Sequence, residues 1–191
     1  MAAALDILVD RVDRISRWLA YLGGVMLLVT VALVILEIVL RRVFAISLAL
    51  GFEMSGYALA ISSSWAFAYA LFCRAHIRID AAYVRLGQRM RIGLDILALT
   101  LFVAFAMVVC EAAGGVLFES VSRHSLSNTP LQTPLWIPQG LWLAGLVWFA
   151  FATALLLVRV LFAAASGDAE TVQRLAGSQT LDEQIQEEAP V

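Results

Sequence analysis

The stretch GFEMSGYALAISSSWAFAYALFCRAHIRID, residues 51–80, sets the fold of this chain. Its first 22 residues, 51–72, carry a single charged side chain, Glu53. They are long enough to cross a hydrocarbon core of about 30 Å as one helix. From Cys73 onward the sequence becomes basic, so we predict a membrane boundary near that residue.

Small residues recur at every fourth position of this predicted helix, at Gly56, Ala60, Ser64 and Ala68. This spacing brings small side chains to one side of a helix, where another backbone can approach closely. The neighbour is either another helix of the same chain or a second membrane protein. The four residues are therefore candidates for subunit packing.

His76 and Asp80 stand four residues apart just beyond the predicted boundary. In a helix they would share a face, where an imidazole and a carboxylate can form a hydrogen-bonded pair. Catalysis or metal binding would need a third group, and no other His or Cys stands at ligand spacing nearby. We expect a structural pair, with no catalytic residue and no metal site.

The composition is that of an integral membrane protein. Of the 191 residues, 62% are hydrophobic and only 15% are charged, and the mean hydropathy is +0.88. The two cysteines, Cys73 and Cys110, form no CxxC motif, which argues against a thiol redox centre. The composition therefore predicts a membrane protein without a cofactor.

Four apolar segments predict an all-α transmembrane domain over residues 18–165. Its helices are expected at about residues 18–40, 51–72, 92–118 and 136–158. Residues 1–17 predict a cytoplasmic amphipathic helix on the membrane surface, with the chain turning inward near Trp18. Residues 166–191 are acidic and predict a largely disordered tail.

Arginine is the basic residue throughout, and its distribution predicts the orientation. The segment between the second and third helices contains Arg74, Arg78, Arg85, Arg89 and Arg91 among apolar residues. Such a basic amphipathic segment suits anionic lipid headgroups rather than nucleic acid. With both termini in the cytoplasm, ten arginines lie on the cytoplasmic side and three on the outer side. This arrangement leaves a polar, mixed-charge outer rim that could receive a soluble partner.

Glu37 is the one charged residue inside the first predicted span. Arg41 follows at i+4, so an interfacial ion pair is the simple interpretation. The alternative is a proton-coupled carboxylate in a self-sufficient small exporter that works as a homodimer. Activity lost on Glu37→Gln would support that alternative.

Several short motifs, in this order and with this layout, resemble the small membrane subunit of tripartite ATP-independent periplasmic (TRAP) transporters, the DctQ type. They are RRVF at residues 41–44, GFEMSGYAL with Glu53, AHIRID with His76 and Asp80, and the loop TPLQTPLWIPQG. The similarity extends over about residues 18–159, and the acidic tail lies outside it. Arg41, Glu53, His76 and Asp80 match recurring polar positions of that family, with no catalytic role implied.

The resemblance implies an accessory subunit of the bacterial inner membrane. Its expected partners are membrane lipids, a large membrane subunit of the DctM type that carries the substrate and sodium sites, and a periplasmic substrate-binding protein. The expected task is to anchor the large subunit and to help dock the binding protein during uptake of an organic acid or similar solute. A haem or quinone redox enzyme is the other alternative, which the two distant histidines, His76 and His124, disfavour.

Overall fold

The computed structural model describes residues 2–44, 51–74 and 86–177, and most of the residues in these ranges are helical. The all-α fold class predicted from the sequence is confirmed. Outside the helices, the described residues form loops with one isolated β-bridge between Leu126 and Pro134. The helices are α1 (Ala2–Phe44), α2 (Gly51–Phe72), α3 (Gln88–Ser122), α4 (Trp136–Ala165) and α5 (Ala169–Ala176).

Three helices in the described part of the chain, α1, α3 and α4, are long and apolar enough to cross a membrane. The helix α2 has the predicted bounds, Gly51–Phe72. It is not among these three candidates, and it carries Ser62, Ser63 and Ser64 at its centre. The number of four spanning helices therefore stays a prediction.

The first helix differs from the sequence prediction. We expected a surface helix over residues 1–17 and a change of direction near Trp18, but α1 continues unbroken from Ala2 to Phe44 over 43 residues. At about 1.5 Å per residue it is roughly 65 Å long, about twice the hydrocarbon thickness. The range 2–44 contains no proline, so a helix with an amphipathic first part can continue directly into the apolar part.

The helices pack in a row. The most extensive contacts join α1 to α2, α2 to α4, and α4 to α3, which leaves α1 and α3 at the edges, and a smaller contact joins the first part of α1 to α4. Burial agrees with this order, because 44% of the most apolar stretch of α4 is buried, against 17% in α1 and in α3. The two edge helices therefore expose most of their apolar surface.

Each edge helix buries a single stripe of residues, spaced by seven along most of its length. In α1 the stripe contains Val9, Val12, Ser16, Gly23, Thr30 and Glu37. In α3 it contains Asp95, Leu99, Ala106, Ala113 and Ser120. A seven-residue spacing keeps one seam facing a neighbouring helix over many turns. Most stripe residues are small or polar, so the adjacent helices can approach closely.

The third helix begins earlier than predicted, at Gln88 rather than near residue 92. Arg89 and Arg91 therefore lie in its first turn and not in a separate basic segment. The guanidinium Nε of Arg91 donates a hydrogen bond to the carbonyl of Leu86 at 2.9 Å. The rest of the predicted basic amphipathic segment, residues 75–85, lies outside the described residues.

The prediction of a disordered tail from Ser166 onward is wrong for residues 169–176, which form α5. Val172 and Ala176 are buried in the main hydrophobic cluster, with Leu175 packed against it. These residues stand three and four apart, so one side of an otherwise polar segment is apolar. Such a face is too short to be distinguished in the sequence. Residues 178–191 lie outside the described part of the chain.

The start of α5 is capped by Asp168. Its carboxylate accepts hydrogen bonds from the Thr171 hydroxyl at 2.6 Å and from the Thr171 backbone N–H at 3.0 Å. These two bonds favour the ionised form and lower the pKa of Asp168 below its ordinary value. The first part of the predicted tail is therefore a capped helix that packs against the membrane domain.

Candidate functional site

The helices α1 and α3 end where α2 and α4 begin, and we call this side of the molecule the loop end. Residues 123–135, which connect α3 to α4, are called the 123–135 loop. Two buried carboxylates, Glu37 and Glu53, lie at the loop end and are 8% and 6% exposed. Burial of a carboxylate is unfavourable unless hydrogen-bond donors surround it, so the partners of these two residues define the site.

Glu37 binds the first turn of α2. Its Oε2 atom accepts a hydrogen bond from the backbone N–H of Gly51 at 2.5 Å. The first N–H groups of a helix lack intrahelical partners and carry a partial positive charge, so a carboxylate is favourable there. The ion pair with Arg41 expected from the i+4 spacing does not form, and among the described residues Glu37 makes this contact between helices instead. Arg41 itself is exposed.

Glu53 binds the 123–135 loop. Its Oε1 accepts the Tyr57 hydroxyl at 2.9 Å, and its Oε2 accepts the hydroxyl of Thr129. Tyr57 lies one turn further along α2, whereas Thr129 is 76 positions away in the sequence. Each carboxylate oxygen therefore has its own hydroxyl donor, which compensates the burial of the charge.

The 123–135 loop is folded upon itself. The Ser127 backbone N–H donates to the Thr133 carbonyl at 2.9 Å, and the Leu135 N–H donates to the Ser125 carbonyl at 3.0 Å. The Ser127 hydroxyl contacts the Thr129 hydroxyl at 2.7 Å and accepts the Thr133 N–H at 3.2 Å. Four backbone and side-chain contacts thus hold the loop as a short hairpin with Thr129 near its tip.

Both ends of this hairpin are tied to helices. At the end of α3, His124 adopts a left-handed conformation with φ of 50°, and the Ser125 N–H donates to the Ser120 carbonyl at 2.9 Å. This is the hydrogen bond of a Schellman cap. At the other end, Trp136 and Ile137 begin α4 directly, and Pro138 fits the first turn because no N–H partner is needed there.

The four small residues of α2 have different surroundings. Ser64 and Ala68 are buried within the chain, at 1% and 0% exposure, whereas Gly56 and Ala60 are exposed. A step of four residues turns 40° beyond a full helical turn, so Gly56 and Ala68 point about 120° apart. Only the first two residues of the predicted seam are therefore open to a partner.

The buried part of the seam packs closely against the neighbouring helices. An ideal Cβ on Gly145 of α4 would lie 2.9 Å from the Ser64 carbonyl carbon and 2.6 Å from Trp65 Cδ1. Trp65 also donates its indole N–H to the Leu141 carbonyl at 3.0 Å. On the other side of α2, an ideal Cβ on Gly23 of α1 would lie 3.2 Å from the Ser62 Cα. Glycine is thus required where α4 meets α2.

An ion pair at the opposite end of the molecule was not predicted from the sequence. Arg159 of α4 donates from Nε and Nη2 to the two carboxylate oxygens of Asp6 in α1, at 2.6 and 3.2 Å. The Arg159 side chain is only 6% exposed, against 40% for Asp6. Arg159 thus connects the first and fourth helices near α5.

His76 and Asp80 lie outside the described residues, so their predicted pairing stays a prediction. In the described part of the chain, no group of three or more His, Cys, Asp or Glu side chains is placed to hold a metal ion. The site at the loop end therefore consists of carboxylates, hydroxyls and helix N–H groups that bind each other. The contacts in this arrangement hold helices and a loop in position.

Residues 30–163, more than half of the chain, match the family described as tripartite ATP-independent periplasmic transporters, DctQ component. The matched range includes α2, α3, the 123–135 loop and both buried carboxylates. No curated protein and no solved structure matches the chain. The DctQ family consists of transporter components and not of enzymes, and three helices of this chain are suited to a bilayer. The chain belongs to the DctQ family and is a small membrane component of a TRAP transporter of the bacterial inner membrane.

Proposed function

We propose that this chain is the scaffold subunit of a secondary, sodium-coupled TRAP uptake system for an organic acid or a similar small solute. In this proposal it binds the large membrane subunit of the DctM type and helps to dock the periplasmic binding protein. Both termini lie in the cytoplasm, so the loop end faces the periplasm, as the arginine distribution suggests. All four long helices, including α2, cross the membrane.

The main support for the proposal is the open packing of the helices, in a chain that belongs to a family of transporter components. A row has two outer faces and two edges, and the edge helices α1 and α3 have only 17% of their most apolar stretches buried. The two buried carboxylates at the loop end bind a helix N–H and a loop hydroxyl, and so hold helices and a loop in place rather than line a solute pathway. Such a chain is suited to widening a larger membrane subunit.

The open part of the α2 seam is the candidate contact with that larger subunit. Gly56 and Ala60 are exposed, and no heavy atom lies within 4 Å of an ideal Cβ on Gly56. Next to them, an apolar groove of about 320 Å³ runs between α1 and α2 and is lined by Val31, Ile35 and Leu59, among others. A partner helix could therefore approach α2 closely and place apolar side chains in this groove.

Substitution of the exposed small residues tests this contact. Gly56→Leu and Ala60→Leu should reduce the amount of large subunit that co-purifies with the tagged chain, because a bulky side chain separates the two backbones. Gly115→Leu is the matched control, since Gly115 is an exposed glycine of α3 with no neighbour within 4 Å. Unchanged co-purification in the α2 variants would place the contact elsewhere. A loss with Gly115→Leu alone would place it on α3.

The homodimeric exporter receives no support from the position of Glu37. A coupling carboxylate must be able to exchange protons with a pathway, whereas the Glu37 carboxylate binds the Gly51 N–H at the start of α2. Glu37→Gln should therefore loosen the junction of α1 and α2 rather than change a proton-coupled step. The chain alone, reconstituted in liposomes, should move no solute under an ion gradient.

A further inference from the structure

We infer that Glu53 is a positioning residue that holds the 123–135 loop against the start of α2, and that the periplasmic binding protein recognises the loop in this held position. The first half of the inference rests on the contacts of Glu53. The second half rests on the proposed function, because it requires that the loop end face the periplasm. The experiment below separates the two halves.

The contact between Glu53 and Thr129 joins two elements that do not follow each other in the chain. The loop belongs to the connection between α3 and α4, whereas Glu53 lies in the first turn of α2. A carboxylate that is 6% exposed and has no ion-pair partner among the described residues depends on hydroxyl donors. The Thr129 hydroxyl donates to this carboxylate, and the Thr133 and Ser127 hydroxyls of the same loop also interact with it, so the docked position of the loop is favoured.

The contact at Thr129 is linked to the rest of the loop by hydrogen bonds within the hairpin. Thr129 contacts Ser127, and Ser127 binds Thr133 through both its backbone N–H and its hydroxyl. The hairpin therefore moves as a unit, and its position is set where Thr129 meets Glu53. The same first turn of α2 is bound from α1 by Glu37, so the loop is aligned with α1 as well.

The loop, in the position set by Glu53, exposes apolar and neutral polar side chains near its tip. Leu126 and Leu131 are 49% and 38% exposed, and Asn128, Pro130 and Gln132 are exposed beside them. None of these five side chains is charged, which agrees with the depletion of charged residues at the centre of protein–protein interfaces. A loop that is already ordered loses less conformational entropy on binding. Positioning of the loop by Glu53 therefore increases the affinity for the binding protein, although Glu53 itself does not contact that protein.

Thr129→Val is the test, with Thr129→Ser as the matched control that keeps the hydroxyl. Both are made in the complex with the large subunit, in nanodiscs. The amides of Ser127, Thr133 and Leu135 are hydrogen-bonded and report the folded loop in hydrogen exchange. In the valine variant, we expect about tenfold faster exchange at these amides and about tenfold weaker binding of the purified binding protein of the same transporter. The serine variant should behave as the unmodified chain.

Each result has one interpretation. Unchanged exchange in Thr129→Val overturns the positioning role of Glu53. Faster exchange with unchanged affinity for the binding protein overturns recognition of the held loop. If the unmodified chain does not co-purify with a large subunit, the proposed function fails, while exchange in the isolated chain still tests the contact. Should Thr129→Val fail to assemble, Glu53→Gln removes one acceptor oxygen from the same contact and is measured in the same way.

Discussion

Substitution of Gly145 by alanine should separate α2 from α4. An ideal Cβ at this position would lie 2.4 Å from the Ser64 hydroxyl oxygen, 2.6 Å from Trp65 Cδ1 and 2.9 Å from the Ser64 carbonyl carbon. Favourable contact between such atoms requires about 3.5 Å, so the helices must move apart by about 1 Å. Rotation of the Ser64 side chain cannot relieve the clash, because one of the three atoms belongs to the backbone. The indole hydrogen bond from Trp65 to Leu141, 3.0 Å long, would be strained by the same movement.

The expected cost follows from two terms. Overpacking of a close contact costs about 1–3 kcal/mol, and the weakened Trp65 hydrogen bond adds about 1 kcal/mol. Gly140 provides the matched control, because it lies in the same helix with no atom within 4 Å of an ideal Cβ. Gly140→Ala should leave stability unchanged or raise it by up to about 1 kcal/mol through helix propensity.

Thermal unfolding of the two variants in the same detergent measures the difference. Gly145→Ala should unfold at a temperature about 4–10 °C below that of Gly140→Ala, and the fraction eluting as a single species should fall with it. Equal unfolding temperatures would mean that α2 and α4 are not in the close contact described.

Three further predictions concern the end of the molecule opposite the loop end. Asp6→Asn should destabilise the chain by about 1–3 kcal/mol in thermal unfolding, because it leaves the buried guanidinium of Arg159 without its anionic partner, whereas the same change at the exposed Asp10 should have little effect. Val172→Asp should detach α5, since this side chain is fully buried and an isolated eight-residue helix is unstable, and tryptic cleavage within α5 should become faster. The protection of α5 amides against hydrogen exchange should be constant above about pH 4 and fall as the pH decreases through the lowered pKa of Asp168.

The sign of the pH effect follows from the cap. Ionised Asp168 accepts two hydrogen bonds from Thr171, and its pKa is lower in the folded chain than in the unfolded chain, so the stabilisation is present above the unfolded pKa and lost in acid. Asp168→Asn should remove this pH dependence. A cap that is equally protective at pH 3 and pH 6 would contradict the assignment, and so would a Val172→Asp variant that trypsin cleaves no faster.

The sequence predicted the helices well because hydropathy over about twenty residues is a local property. The bounds of α2 agree with the predicted 51–72, and the all-helical class follows from the same apolar runs. The prediction of a break near Trp18 was wrong because an amphipathic segment and an apolar segment differ in surroundings, not in backbone conformation. The helix α5 was missed because eight residues with Val172 and Ala176 on one side give too weak a pattern.

The contacts at the loop end could not be predicted from local sequence spacing. Glu37 was paired with Arg41 because i+4 spacing was the one relation visible in the sequence, whereas its partner is the backbone N–H of Gly51 in another helix. Glu53 and the proline-rich loop were each recognised, but their contact at Thr129 joins residues 76 positions apart. A signal that could have been used is the seven-residue spacing of Ser16, Gly23, Thr30 and Glu37, which identifies the buried stripe of α1.

We propose that this chain works as one subunit beside a large membrane partner. Affinity capture of the tagged chain from native membranes in mild detergent, followed by mass analysis of what stays bound, tests it most directly. We expect one large polytopic membrane protein in an amount equal to that of the chain. Recovery of the chain alone, or only as a homodimer, would contradict it.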